Sequence, residues 1–424
     1  MQIILVKDLE KQKQKGIHAD IFHPFPLILL HTPFGLKFFD YIAKTRIAKA
    51  YARANTYLMP VITAIAILLI VGGIATLITN VSLREDVREI GPRGNFLIPI
   101  LNPLLPITYT LVALVISVFI HEAGHGIVAR VYGIKVESTG IAFVLFIPIG
   151  AFVNLDKTEL EKATLKEKSA VLTAGPLNNM ILAAISMALL FVVISTLTPI
   201  QTQDTEKNGL QIISVTDGSL ADSIGLTRGS SIQTIAQTEV HSQEALSKVL
   251  RSNIGKEFQI VWTDRQGKLI TKTLSIPAGA DPTKPILGVV AISLDPDVTL
   301  ESYKRFFAFT SDINRPVPML PMPTLNGQFI PFSDAMAPKY NSIVFGSTFP
   351  IIANTLFWLW FINFNLGIFN ALPIAFLDGG QLYGSLIESR SRIDKNRLKQ
   401  ISSAVSLIMV IIVIMTFILP YAPF

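Results

Sequence analysis

Hydrophobic residues in this chain gather in long runs, without the period of two or 3.6 that marks soluble strands and helices. Five runs approach the roughly 20 apolar residues that a helix needs to cross a bilayer. They cover Leu58–Asn80, Ile107–Tyr132, Leu177–Leu197, Ile343–Leu372 and Ile401–Leu419, the fourth being long and broken by Pro350 and Pro373. Between the second and third runs, "TGIAFVLFIPIGAFV" (139–153) is apolar but short for a span. A re-entrant β-hairpin sheltered by protein suits it, with a short buried helix as the alternative. Residues 207–292 differ: charges return, and "GLQIISV", "KEFQIVW" and "KLITKTLSI" read as strands. "TDRQGK" reads there as a hairpin turn and "HSQEALSKVLRS" as an amphipathic helix.

The expected fold class is a polytopic α-helical membrane protein of about five or six spans, with a re-entrant β-hairpin and one inserted β-rich soluble domain. The expected boundaries are an N-terminal juxtamembrane or interfacial segment (1–57), a first membrane part (58–206), the inserted domain (207–292), a Pro-rich linker (293–342) and a second membrane part (343–424). Composition agrees, since half of the residues are hydrophobic and only 16% are charged, well below the quarter or so usual in soluble domains. A formal charge of +6 without dense Lys/Arg runs excludes nucleic acid as an expected partner. Cysteine is absent, which removes disulfides and thiolate metal sites.

Lys and Arg number nine before the first span, three between the first and second, six over Arg130–Lys168 and five over Arg390–Lys399. The positive-inside rule then places the N-terminus in the cytoplasm and the inserted domain outside it. The lack of cysteine and this arrangement point to a prokaryotic cell membrane.

The second run contains "HEAGH", so His121, Glu122 and His125 lie inside an apolar helix. Each ionisable group there costs roughly 2.5–3.5 kcal/mol, a cost that calls for a function. Histidines four apart share a helical face, and His121 and His125 can each direct a ring nitrogen at one ion. Glu122 flanks that face and can take a proton from water without being a ligand, the logic of a zinc hydrolase. A catalytic zinc takes a third protein ligand and leaves one position open. Asp378 in "NALPIAFLDGGQLYG" is the only carboxylate from Ile343 to Ile387, and the charge count puts it at the same depth as the histidines. It is the third ligand chosen, its plainer reading being a turn or cap residue before Gly379 and Gly380. Asn370 can hydrogen-bond a scissile carbonyl or an oxyanion, or simply another helix. Asn178 and Asn179 can orient ligands or join helices, the latter being preferred.

"HEAGH" in one span, "AGPLNN" opening another and "NALPIAFLDGG" in a third together resemble the site-2 protease family of intramembrane zinc metalloproteases, over about Ile107 to Tyr383. "GSLADSIGLTRGSSIQTI" in the insert resembles a PDZ domain, departing from it with Ser230 and Ser231 where Gly-Asp is usual. The resemblance implies zinc, one ion per chain, on His121, His125 and Asp378, with Glu122 and Asn370 catalytic. It implies a supporting role for Gly175, Pro176 and Asn179 in a Gly-Pro-x-x-Asn pattern, and substrate pairing by the hairpin at Ile149, Gly150, Ala151 and Phe152. The implied activity is regulated intramembrane proteolysis of transmembrane protein substrates in the lipid bilayer, with the active site towards the cytoplasm. A peptide ligand of the PDZ-like domain is a further expected partner. Two rivals are a non-catalytic receptor or scaffold that binds extracytoplasmic peptides, and a metal transporter. The second expects repeated halves, which the sequence lacks.

Overall fold

The computed structural model describes residues 17–22, 27–79, 84, 87–88, 105–144, 147–200, 209–216, 218–227, 229–264, 266–281, 286–293, 295–307, 331–332, 337–390 and 394–422. The start of the N-terminal segment (1–16) and the Pro-rich stretch 315–329 of the expected linker lie outside the described residues. The elements run β1 (His18–Phe22), β2 (Leu27–Thr32), α1 (Leu36–Ala43), α2 (Arg46–Asn55), α3 (Met59–Thr79), α4 (Ile107–Val131), β3 (Val136–Val144), β4 (Ile147–Leu155), α5 (Lys157–Lys162) and α6 (Leu165–Ser195). Then come β5 (Leu197–Pro199), β6 (Leu210–Val215), α7 (Leu220–Ser223), β7 (Ser231–Ile235), β8 (Thr238–Glu239), α8 (Gln243–Ser252), β9 (Glu257–Thr263), β10 (Leu269–Ser275), β11 (Val289–Ser293) and α9 (Pro296–Phe307). Last are β12 (Tyr340–Ser342), α10 (Phe349–Asn370), α11 (Asp378–Arg390) and α12 (Lys395–Ile418).

Five described helices, α3, α4, α6, α10 and α12, are long and apolar enough to cross a membrane. They also leave large apolar side chains uncovered, among them Leu68, Val71, Val115, Ile185, Leu407 and Ile408. Lipid is the solvent that tolerates such faces, so this is an integral membrane protein.

Two expected spans need correction. α6 begins at Leu165, well before Leu177, and Pro176 lies within it. Its start is set by a capping box: Glu167 accepts from the Thr164 amide at 2.7 Å, and Thr164 Oγ1 accepts from the Glu167 amide at 3.4 Å. The charged first turn hides this start from an apolar window. α10 starts only at Phe349 and is unbroken, because Pro350 occupies its first turn, where a missing N–H costs nothing.

The chain divides into two compact units, the first formed by Met1–Val71, Thr108–Ser186 and Trp358–Met415. Its antiparallel sheet has the order β1-β2-β3-β4. The segment 139–153 is thus a β-hairpin, and its alternative as a short buried helix is set aside. The chain before α3, expected to be interfacial, contributes two strands and two short helices. "LILLHT" reads as one apolar run, which periodicity cannot assign to strand or helix. Gly140 is required in β3, because a Cβ there would lie 2.2 Å from the Phe152 ring and 2.4 Å from the Leu30 carbonyl. One core of this unit gathers Ala52, Val128, Val136, Ala170 and Ala174. Another gathers Met59, Ile62, Leu172, Ala371 and Leu382.

The second unit comprises Gly72–Ile107, Met187–Phe357 and Thr416–Phe424. Its larger sheet runs β10-β9-β7-β6-β11, with β8 beside β7, over a core of Leu210, Ile212, Ile232, Ile235, Leu246 and Trp262. The β9–β10 turn forms as its sequence expects: Asp264 Oδ1 accepts from the amides of Gln266 and Lys268, both at 2.9 Å. α8 is capped by Ser242 and buries Leu246 and Leu250.

Candidate metal centre

One turn of α4 brings His121 and His125 onto one face, both more than 90% buried. Asp378 is the first residue of α11, at the end of the turn that follows α10. Gly379 and Gly380 allow that turn to fold tightly, since a Cβ would sit 2.2 Å from the Ala371 carbonyl at one and 2.0 Å from that of Ile374 at the other. His121 Nε2 lies 3.1 Å from Asp378 Oδ2 and 3.2 Å from His125 Nε2, and His125 Nε2 lies 3.4 Å from the same carboxylate oxygen. A tetrahedral ion with bonds of about 2.0–2.1 Å has edges between ligand atoms of about 3.3–3.4 Å. The triangle therefore has the size of one face of a zinc tetrahedron, and two imidazoles with one carboxylate are a zinc donor set. Burial opposes ionisation of Asp378, but the two histidines beside it outweigh that and hold its carboxyl below the usual range.

α6 closes this face at near contact. A Cβ on Gly175 would lie 2.4 Å from His125 Nε2 and 2.6 Å from His121 Nε2. A Cβ on Gly124 would lie 2.7 Å from the Ala174 carbonyl, so a glycine on each helix is needed for the approach. Pro176 supplies no amide hydrogen to this turn, and the nearby Val171 carbonyl accepts from His125 Nδ1 at 2.7 Å. That bond leaves Nε2 of His125 for a metal. Asn178 joins helices: its Nδ2 donates to the Ile120 carbonyl at 3.0 Å, and its Oδ1 accepts from Tyr51. Burial pushes the Tyr51 phenol up to about 12, against the lowering effect of Asn55, so it remains a donor at neutral pH.

Asn179 is completely buried, and its amide lies 3.2 Å from His121 Nδ1. With Nε2 turned to a metal, Nδ1 of a neutral imidazole carries the proton and needs an acceptor. Asn179 Oδ1 is buried without a hydrogen bond among the described residues. A half-turn of the amide places Oδ1 on His121 Nδ1 and satisfies both groups. Asn179→Leu is accordingly expected to weaken zinc binding about 10–100-fold, as loss of an outer-shell partner does. Asn179→Asp should retain most of the affinity. Competition with a chromogenic chelator measures both, and equal affinities in the two variants would deny Asn179 this role.

Glu122 follows His121 on α4 and its carboxylate reaches β4. Its Oε2 accepts from the Val153 amide at 2.8 Å. β4 is an edge of its sheet among the described residues, so this strand presents backbone groups on the side of Glu122. Ile149, Gly150, Ala151 and Phe152 lie on the same strand. Asn370 is the last residue of α10, and its Nδ2 donates to the Leu366 carbonyl of its own helix at 3.0 Å. Among the other histidines, His18 and His31 lie in the β1–β2 hairpin, His241 lies 3.2 Å from Glu239, and His23 is outside the described residues.

Residues 109–413, well over half of the chain, match the model of peptidase family M50, the site-2 protease family. The chain belongs to this family. A protein of Methanocaldococcus jannaschii described as uncharacterized is 24% identical over 85% of this chain and 77% of its own length. A Campylobacter jejuni protein described as a putative zinc metalloprotease is 28% identical over 66% of this chain and 84% of its own. A Clostridium perfringens protein with the same description is 24% identical over 66% of this chain and 88% of its own. As a member of family M50, the chain is a zinc metalloprotease of the membrane.

Reading the sequence did not find Tyr51 or the contact of Glu122 with Val153 in this M50 peptidase. Both depend on elements brought together only by folding. The one available signal for Tyr51 was an aromatic residue on the small, amphipathic helix α2.

Proposed function

We propose that this M50 peptidase cuts peptide bonds within or near transmembrane segments of other membrane proteins. The observation that carries the reading is the buried triangle of His121, His125 and Asp378, its two histidines and Glu122 carried by α4, a helix of membrane-spanning length. That triangle would hold a zinc ion, whose Lewis acidity would make a water easier to deprotonate. Glu122 takes the proton of the attacking water and returns it to the leaving amine. Asn370, one turn before the Asp378 loop, turns its free amide oxygen or, after releasing Leu366, its NH₂ to the substrate.

A helical substrate must unwind before it can be cut, and its freed amides then need partners away from water. The edge of β4, at Ile149–Phe152, offers them by strand addition. The hairpin would thus be re-entrant, and the charge distribution would put the site towards the cytoplasm. The β-rich domain of the second unit, a PDZ-like domain in this reading, would lie outside the cytoplasm and filter or bind substrates through their peptide ends.

Full-length protein reconstituted in liposomes with a panel of single-pass membrane proteins tests this. Cleavage is expected inside the spanning segment, lost with a zinc chelator and restored by added Zn²⁺. Cleavage confined to soluble ectodomains, or unaffected by the chelator, would sink the proposal.

A further inference from the structure

The first unit carries a second group of metal-binding side chains, at the far side of the hairpin from Glu122. His18 and His31 are opposed in the register of β1 and β2, and Asp20 follows two residues along β1 on the same face. The two imidazoles stack with centroids 4.5 Å apart and planes 5° from parallel. Asp20 Oδ2 lies 3.3 Å from His31 Nε2, again the edge of a tetrahedron. The His31 side chain is about nine-tenths buried, and its Nε2 makes no hydrogen bond among the described residues. Its Nδ1 lies 2.9 Å from Ser138 Oγ, which can accept the proton of a ring that ligates through Nε2. One ligand atom from each of the three residues falls within 4.8 Å of the others. They open on a cleft of about 200 Å³ whose walls include Glu137, Ser138 and Asn154.

Two imidazoles beside a carboxylate are the donor set of a zinc-class ion. We propose that His18, Asp20 and His31 bind a second divalent transition-metal ion, which ties β1 to β2. Phe152 packs edge-on against His31 with centroids 4.8 Å apart, and Asn154 walls the cleft. Between them in the chain stands Val153, whose amide donates to Glu122. The ion therefore steadies, through His31 and its contact with Phe152, the sheet whose β4 edge meets Glu122.

The test is the zinc content of the full-length protein in detergent after equilibration with Zn²⁺ and desalting. Two ions per wild-type chain are expected. His18→Ala and Asp20→Asn should each retain one, as should the double variant His121→Ala/His125→Ala, and combining the two sets should leave none. Asp20→Asn is isosteric and its side chain is about half exposed, which guards against loss of fold. One ion per wild-type chain, or two in both His18→Ala and Asp20→Asn, overturns the second site. Unchanged zinc in His121→Ala/His125→Ala would instead count against the M50 centre, so the two sites fail separately. Co²⁺ in the His121→Ala/His125→Ala protein gives a further check: d–d absorption should appear and be lost on adding Asp20→Asn.

Discussion

Glu122→Gln is expected to keep its zinc and lose its turnover. The two side chains have the same shape, and the amide oxygen of glutamine can still accept the 2.8 Å hydrogen bond from Val153. β4 and the triangle of His121, His125 and Asp378 therefore stay in place. The substitution removes only the capacity to take up a proton at Glu122. General acid–base catalysis by a positioned side chain contributes about 10²–10⁴-fold. Loss at the upper end is expected, because Glu122 serves both the attacking water and the leaving amine. Paired measurements of zinc content and cleavage of a single-pass substrate check this. Zinc retained with a rate within tenfold of wild type would remove Glu122 from the role of base, and with it the mechanism proposed for this peptidase.

How much of this site was legible in the sequence depended on how local its geometry is. The pairing of His121 with His125 follows from the pitch of a helix and needs no tertiary information. Asp378 was reached by scarcity, being the lone carboxylate over a long apolar stretch. The structure brings all three within 3.4 Å of one another. The spans were legible because bilayer thickness imposes a length. The start of α6 was not, since its capping box and charged first turn look like a loop to a search for apolar runs. β1 and β2 were hidden for another reason: the strand pairing of β2 with β3 joins residues more than 100 positions apart. The same distance in sequence concealed the proximity of His18 and His31 to Ser138 and Asn154.

Gly175→Ala should cost the protein its zinc, against the prediction of helix propensity. Gly175 lies within α6, where alanine is ordinarily favoured over glycine by about 1 kcal/mol. Its added methyl group, however, would lie 2.4 Å from His125 Nε2 and 2.6 Å from His121 Nε2, the two atoms aimed at the metal. Contacts that short do not occur, so either the rings rotate or α6 withdraws. Rotation carries both nitrogens off the tetrahedral face. Withdrawal breaks the bonds of His125 to Val171 and of His121 to Asn179. Either course disturbs both histidines, so the affinity should fall by more than the 10–100-fold typical of a single outer-shell partner. Gly73→Ala is the matched control: it lies in α3 with open space around its Cβ, and zinc binding there should not change. Chelator competition on the two variants decides between local propensity and the geometry of the site. Equal affinities would mean that α6 does not stand against the histidines as closely as the structure has it.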